Sequence, residues 1–279
     1  MNTATATQAN EVINNAMSLD DMRRIAPRIF CTSPTNPGVS KHYTFASTLT
    51  VINDMAKLSW DVVSAAQPHP RRVSSISSYH KVTFRNGQKI SRFLSNGSED
   101  VYYPEIVLTN SHDGFSSFCF RIGLYSVNTQ HTIIISTDTF NDIRLRHIGY
   151  SFEDLRNLVN MVIKEVPNQI AVMNKMQNFN MTIDDCRKLA AAAFSARNKN
   201  AVNMPNFILD EILKHEDGTI DNNLWDVFNT IMHRILEGDF QQQSKKGMRK
   251  ARKIVSVLKT ISISQAIFNA AFQIVSENN

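Results

Sequence analysis

The 279-residue chain lacks any apolar run approaching the roughly 20 residues needed to cross a bilayer, so no membrane partner is expected. It has only three cysteines, Cys31, Cys119 and Cys186. Their odd number and wide spacing give no CxxC pair and no disulfide framework, which makes the cytoplasm the expected compartment. The opening MNTATATQANEVINNAM has no charged segment followed by an apolar one, so no secretory signal is expected there. The nine glycines are scattered, leaving no loop built to cradle phosphate with backbone amides. GxSxG is absent, and no cysteine has a histidine beside it. The eight histidines form no HxH, HExxH or H-x₃-H pattern. No metal and no cofactor are expected, and the residues favour a binding protein over an enzyme.

One sign of charge is also missing over long stretches. From Val62 to Ser98 there is no acid, but there are Arg71, Arg72, Lys81, Arg85, Lys89 and Arg92. From Lys245 to Lys259 acids are again absent, beside Lys245, Lys246, Arg249, Lys250, Arg252, Lys253 and Lys259. Clustering of this kind is how a polyanion-binding surface shows in a sequence. The plainer alternative is a solvated basic face with no partner.

What is present is strand signal, densest in Pro104–Ile148. PEIVLTNSHDGFSSFCFRIGLYSV reads as two strands joined at Asn110–Gly114, because Asp113-Gly114 suits a tight hairpin. In the second strand Phe118, Phe120, Ile122 and Leu124 alternate with Cys119, Arg121, Gly123 and Tyr125. A further strand pair is expected at Thr132–Thr137 and Phe140–Ile148. Upstream, Ser18 and Asp21 form a capping box for a short helix, Ser47–Leu58 has helical spacing, and Trp60–Ala66 and His80–Arg85 read as strands. Asn86-Gly87 reads as a second hairpin turn.

Downstream the period becomes helical. Ser151 with Asp154 and Thr182 with Asp185 open helices. Pro167 is expected to break or kink the first of these. Two more helices are expected at Asn206–Lys214 and Asn222–Glu237, the latter ended by Gly238. Residues 239–247 read as an exposed linker, and a last helix covers about Ile263–Val275. The fold class is therefore α+β: an antiparallel sheet in the N-terminal half packed against a helical C-terminal half. Residues 1–39 form an arm and short helix, 40–238 the α+β core, and 239–279 a basic linker with the last helix.

Alternation supplies one specific site. If the strands at 80–85, 116–125 and 140–148 share a sheet, Lys81, Arg85, Arg121, Arg144 and Arg146 fall on the face opposite the apolar residues. With Tyr125 that face could track a phosphate backbone and offer a stacking platform. The alternative is an ordinary polar solvent face. The candidate nucleic-acid-binding set is these five with Arg71, Arg72, Lys245, Lys246, Arg249, Lys250, Arg252 and Lys253. The best candidate for a catalytic loop is Asn110–Gly114. There His112 and Asp113, with His80 or His147, could bind a metal or relay a proton.

These motifs carry a resemblance. PEIVLTNSHDGFSSFCFRIGLYSVNTQ, IRLRHIG at 143–149 and LWDVFNTIMHRI at 224–235 resemble a phage/plasmid-like family catalogued as a domain of unknown function. IFNAAFQIV at 267–275 and HYTFASTLTVINDMAKLSWDVV extend the likeness over roughly residues 40–276. Phe115 and Ile148 depart from the Ser and Thr that family often carries. The resemblance implies a mobile-element or phage origin and a cytoplasmic protein, in the host cell if phage-encoded. It implies no activity.

Three readings follow. The first is a phage- or plasmid-encoded nucleic-acid-binding protein, binding or annealing single-stranded DNA in replication or recombination. The second is a metal-dependent hydrolase using the His112–Asp113 loop. The third is a phage factor that binds and inhibits a host protein. A homo-oligomer is compatible with each.

Overall fold

The computed structural model describes residues 16–68, 78–93, 97, 99–116, 118–127, 132–135, 143–145, 151–198, 204–215, 217–244 and 247–277. The chain divides into two compact units, one of residues 1–132 with 137–166, the other of 133–136 with 167–279. The fold is α+β, with an N-terminal antiparallel sheet and helices mainly in the C-terminal half.

The first unit begins with α1 (Leu19–Ile25), whose Ser18 accepts from the Asp21 amide as the capping box requires. Pro27 then starts a 3₁₀ turn, Pro27–Phe30, because its missing N–H costs nothing at a helix start. Helix α2 (Thr48–Lys57) is capped by Ser47 and buries Val51, Ile52 and Met55. The strands are β1 (Asp61–Ala66), β2 (His80–Arg85), β3 (Ile90–Phe93), β4 (Glu99–Asn110) and β5 (Phe118–Ser126). Strand β6 (Thr132–Ile135) lies at the boundary of the units, and β7 is Ile143–Leu145. Strands β1, β2, β4 and β5 are neighbours in that order, all antiparallel, with β3 also on β4 and β7 also on β5.

Three expectations about turns change. Gly87 takes φ 70°, but Asn86-Gly87 does not close a hairpin. Strand β3 pairs with β4, not β2. Strand β7 pairs with β5 through Phe118↔Leu145 and Phe120↔Ile143, rather than forming a separate pair with its predecessor. The β4–β5 link is longer than a two-residue turn. Gly114 takes φ 80°, whereas Asp113 is not among the left-handed residues, so the Asp-Gly dipeptide is not a type I′ turn.

Alternation does hold. Val82, Phe84, Ile106, Leu108, Phe118, Phe120, Ile122 and Leu124 share one face and are all buried. Each such side chain removes enough apolar surface from water to contribute roughly 2 kcal/mol.

Helix α3 (Phe152–Gln177) runs through Pro167 as one helix. Of the expected break or kink, the break does not occur, and the division into units falls there. In the second unit, Thr182 caps α4 (Ile183–Arg197), and α5 is Asn206–Leu213. Asn223 caps α6 (Leu224–Glu237), whose Leu224, Val227, Phe228, Ile231 and Ile235 are buried. The 239–247 linker is instead a β-hairpin, β8 (Gln241–Ser244) against β9 (Gly247–Lys250). Helix α7 spans Val257–Glu277.

Gly238 ends α6 at φ 76°, ψ 28°, its amide donating to the Arg234 carbonyl. A Cβ there would meet the Arg252 carbonyl carbon at 2.5 Å and oxygen at 2.7 Å. Gly218 has a similar φ of 84° but open space around it. Gly218→Ala should therefore cost only the left-handed penalty of about 1 kcal/mol. Gly238→Ala should cost about 3 kcal/mol or more, because the chain from Arg252 must also move. Urea midpoints of the two variants test this, and equal losses would refute the close-approach argument.

Candidate functional site

The Asn110–Gly114 segment is buried. Asn110, Ser111 and His112 have no exposed surface and Asp113 has 3%. Asp113 accepts the Ser78 amide on one carboxylate oxygen at 2.8 Å and the Phe115 amide on the other at 2.9 Å. Burial opposes its ionisation, but the bonds from Ser111, Ser78 and Phe115 together outweigh this and hold its carboxyl below the usual range. The His112 amide donates to Ser78 Oγ at 2.5 Å, and its carbonyl accepts from the Thr35 amide. The His112 ring lies 4.8 Å from Phe45 and 4.9 Å from His80, centroid to centroid.

His80 donates from Nδ1 to the Ser78 carbonyl at 2.7 Å, since a carbonyl can only accept. Its Nε2 then accepts from Thr48 Oγ1, also at 2.7 Å, and Thr48 in turn accepts from Asn110 Nδ2 at 2.9 Å. Burial pushes the His80 imidazole down to about 4, only partly offset by the Ser78 bond and the Asp113 charge. The neutral ring thus joins a relay that fastens α2, β2 and the β4–β5 link. Among the described residues, no group of three or more His, Cys, Asp or Glu is arranged to hold a metal ion. His147 lies outside the described residues.

The register confirms the second half of the alternation argument for the residues described. Lys81 opposes Thr109, Arg85 opposes Glu105, and Arg121 opposes Val107. These positions share one face, and Arg144, opposite Cys119, falls on it by register. This face is not an open row of cations. Arg85 is buried and paired with Glu105 at 2.5 Å, its guanidinium 4.0 Å above the Tyr125 ring. Burial pushes the Glu105 carboxyl up, against the pull of Arg85, and Thr132 donates to its other oxygen. Burial also pushes the Lys81 ammonium down, with Glu105 opposing. Arg121 donates to Thr109 Oγ1 at 2.9 Å. Elsewhere in the same acid-free stretch, Arg92 is buried against Asp100 and Lys89 meets Glu99. Arg71, Arg72 and Arg146 lie outside the described residues.

The second basic stretch is organised differently. The β8–β9 hairpin stands on a buried root. Phe240 and Ala251 are buried, the Ala251 amide donates to the Phe240 carbonyl, and the Phe240 ring meets Phe194 edge-on. Buried Arg197 donates to the carbonyls of Ile235 and Arg252 and lies over the Phe240 ring. It thereby satisfies a carbonyl in the last turn of α6 while pinning the returning chain.

Above this root the strands are open, with all four residues of β9 exposed. Lys250 pairs with Asp239 at 2.6 Å and Lys253 with Glu237 at 2.8 Å. Among the described residues, no carboxylate pairs with Arg249 or Arg252, and both are exposed. Lys245 and Lys246 lie outside the described residues and join the two strands in sequence.

Sequence reasoning missed the counter-charges Glu105 and Asp100, the Ser78–Asp113 staple, the Arg197 clamp and the hairpin. Only the hairpin left a legible trace: apolar Phe240 and Ala251 flank a polar run whose Gly247 takes φ 102°.

These features define an α+β protein with a buried polar lock in its sheet unit and a basic hairpin arm on its helical unit. A family model described as Domain of unknown function (DUF932) matches residues 38–255, and the chain belongs to that family. It is 21% identical over 255 residues to UPF0380 protein YafZ of Escherichia coli K12, covering 86% of this chain and 84% of the relative. It is 22% identical over 251 residues to UPF0380 protein YfjQ of the same organism, covering 84% and 82%. No solved structure matches the chain. Among the described residues, no helix is long and apolar enough to cross a membrane.

The neutral His80 gives the sheet unit a definite acid response. Between about pH 4 and 6.5 the unfolded chain binds a proton at this position that the folded chain does not. Stability therefore rises with pH across that window, is complete above it, and loses roughly 3 kcal/mol as pH falls through it. Urea midpoints across this range should show the slope in the wild type and a flattening by about one proton in His80→Gln. For the buried ion pair, Glu105→Ala should cost about 3–5 kcal/mol by leaving Arg85 uncompensated. A loss below about 1 kcal/mol, typical of exposed pairs, would contradict the burial.

Proposed function

We propose that this is a nucleic-acid-binding protein of a phage or plasmid, acting on single-stranded DNA in replication or recombination. The observation that carries the reading is the β8–β9 arm. Exposed Arg249 stands on the hairpin and exposed Arg252 just past its root, both without a carboxylate partner among the described residues. Exposed guanidinium groups displace the counterions condensed on a phosphate chain, and they pair with phosphate oxygens through two donors at once.

The sheet face adds less to this reading than its alternation promised, because Arg85 is held by the buried carboxylate of Glu105. Lys81, Arg121 and the register position of Arg144 are its remaining cationic candidates. The mobile-element origin rests on the family resemblance.

The test is a salt-resolved titration with a single-stranded oligonucleotide. The slope of log K against log salt should fall by about 0.7 for each phosphate contact removed. The double variant Arg249→Gln with Arg252→Gln should thus lose about 1.4 units of slope and bind more weakly. Its unfolding midpoint should stay at the wild-type value, since both side chains are exposed. An unchanged slope and affinity would remove the arm from the reading.

A further inference from the structure

The register of the arm sorts its side chains onto two faces. Gln241 opposes Lys250, Gln242 opposes Arg249, Gln243 opposes Met248, and Ser244 opposes Gly247. Residues directly opposite share a face, and successive residues alternate. One face therefore carries Gln242 and Arg249 beside Gly247. The other carries Met248 between Gln243 and the Gln241–Lys250 pair. Lys250 is drawn back to Asp239 at the root. Met248 is 48% exposed, with the amide of Gln243 opposite it and the Gln241–Lys250 pair next along the face.

We infer that the arm is two-sided: Arg249 holds the phosphate chain while Met248, flanked by Gln241 and Gln243, contacts the bases of a single strand. This rests on the nucleic-acid reading and deepens it. A single strand presents charge along its backbone and unpaired apolar ring faces away from it. A thioether is polarizable and packs well on ring faces. The flanking amides each offer donors and an acceptor to base edges. A duplex keeps its ring faces stacked, so a contact of this type selects the unpaired strand. The buried root fixes the arm before binding, so less ordering cost opposes the contact.

The experiment compares three probes, each titrated over the same salt series: a single-stranded oligonucleotide, an abasic strand of equal length with the same phosphates, and the corresponding duplex. The full-length wild type should bind the base-bearing strand about tenfold more tightly than the abasic one, within the range of a lost stacking contact. Met248→Ala should erase that preference and leave the salt slope unchanged. Arg249→Gln should weaken both strands alike and lower the slope. Met248→Leu keeps an apolar side chain of similar volume and should retain most of the preference, which separates a contact from a folding defect.

Equal wild-type affinity for abasic and base-bearing strands would overturn the base contact while leaving nucleic-acid binding intact. So would a Met248-dependent preference for the duplex. A change in sedimentation of Met248→Ala with unchanged DNA affinity would assign the face to a second copy of the chain, also overturning it. Failure of the wild type to bind any probe would take down both the inference and the reading beneath it.

Discussion

Strand β4 is the constraint on which the sheet unit depends. It pairs with β2 and β3 along one edge and with β5 along the other. Its register therefore decides which residues of three other strands share a face. Its carboxylates do a second job. Glu99, Asp100 and Glu105 meet Lys89, Arg92 and Arg85 from the strands beside it and the turn between them. The pairs at Asp100 and Glu105 are buried. In such surroundings a lone charge is far more costly than a matched one. A slip of one residue would turn these partners to opposite faces, so the ion pairs reinforce the register that the apolar alternation sets.

At its C-terminal end β4 runs into the Asn110–Gly114 lock, and there the same logic is expressed in hydrogen bonds. Past Asn110, which still pairs with His80, the described backbone of this link has no strand partner, so its buried amides and carbonyls need others. The Ser78 hydroxyl takes the His112 amide, and Asp113 takes the amides of Ser78 and Phe115. Asn36 donates to the Asp113 carbonyl, and Tyr43 to that of Ser111. Thr48, His80 and Asn110 complete the relay. A run of polar residues that looks chemically active in sequence is here a way of satisfying buried backbone. Its side chains are directed to the chain itself.

The elements were legible where a local rule decided them. Ser18, Ser47, Ser151, Thr182 and Gly238 mark helix ends through bonds reaching only three or four residues. Phe118–Leu124 follows from period two alone. What was not legible is non-local. Nothing near Arg85 in the chain announces Glu105, since the pair forms only when β2 lies against β4. An acid-free stretch of sequence is thus a poor guide to a basic surface when the neighbouring strand supplies the acids. Pro167 shows the opposite limit: an interior proline loses a hydrogen bond and crowds the carbonyl four residues back, yet the turns on either side still hold α3 as one helix. The 241–250 hairpin was hidden because glutamine and lysine carry weak strand preference. Its evidence lies in the root, where Arg197, Phe240 and Arg252 meet from separate parts of the chain.

The two basic stretches therefore differ in availability rather than in composition. Arg85 and Arg92 cannot turn to an outside anion without stranding a buried carboxylate, which costs several kcal/mol. Lys250 and Lys253 are exposed, and their pairs with Asp239 and Glu237 are surface pairs. Such pairs contribute about 0–1 kcal/mol and weaken further with salt. A phosphate chain can take these two ammonium groups from their carboxylates at little cost, because the exchange leaves every charge in contact with water. Asp239 and Glu237 then remain at the root, where they repel the strand from the base of the arm. The favourable path for a polyanion runs along the hairpin itself, over Arg249, and that is the side of the arm the register places opposite Met248.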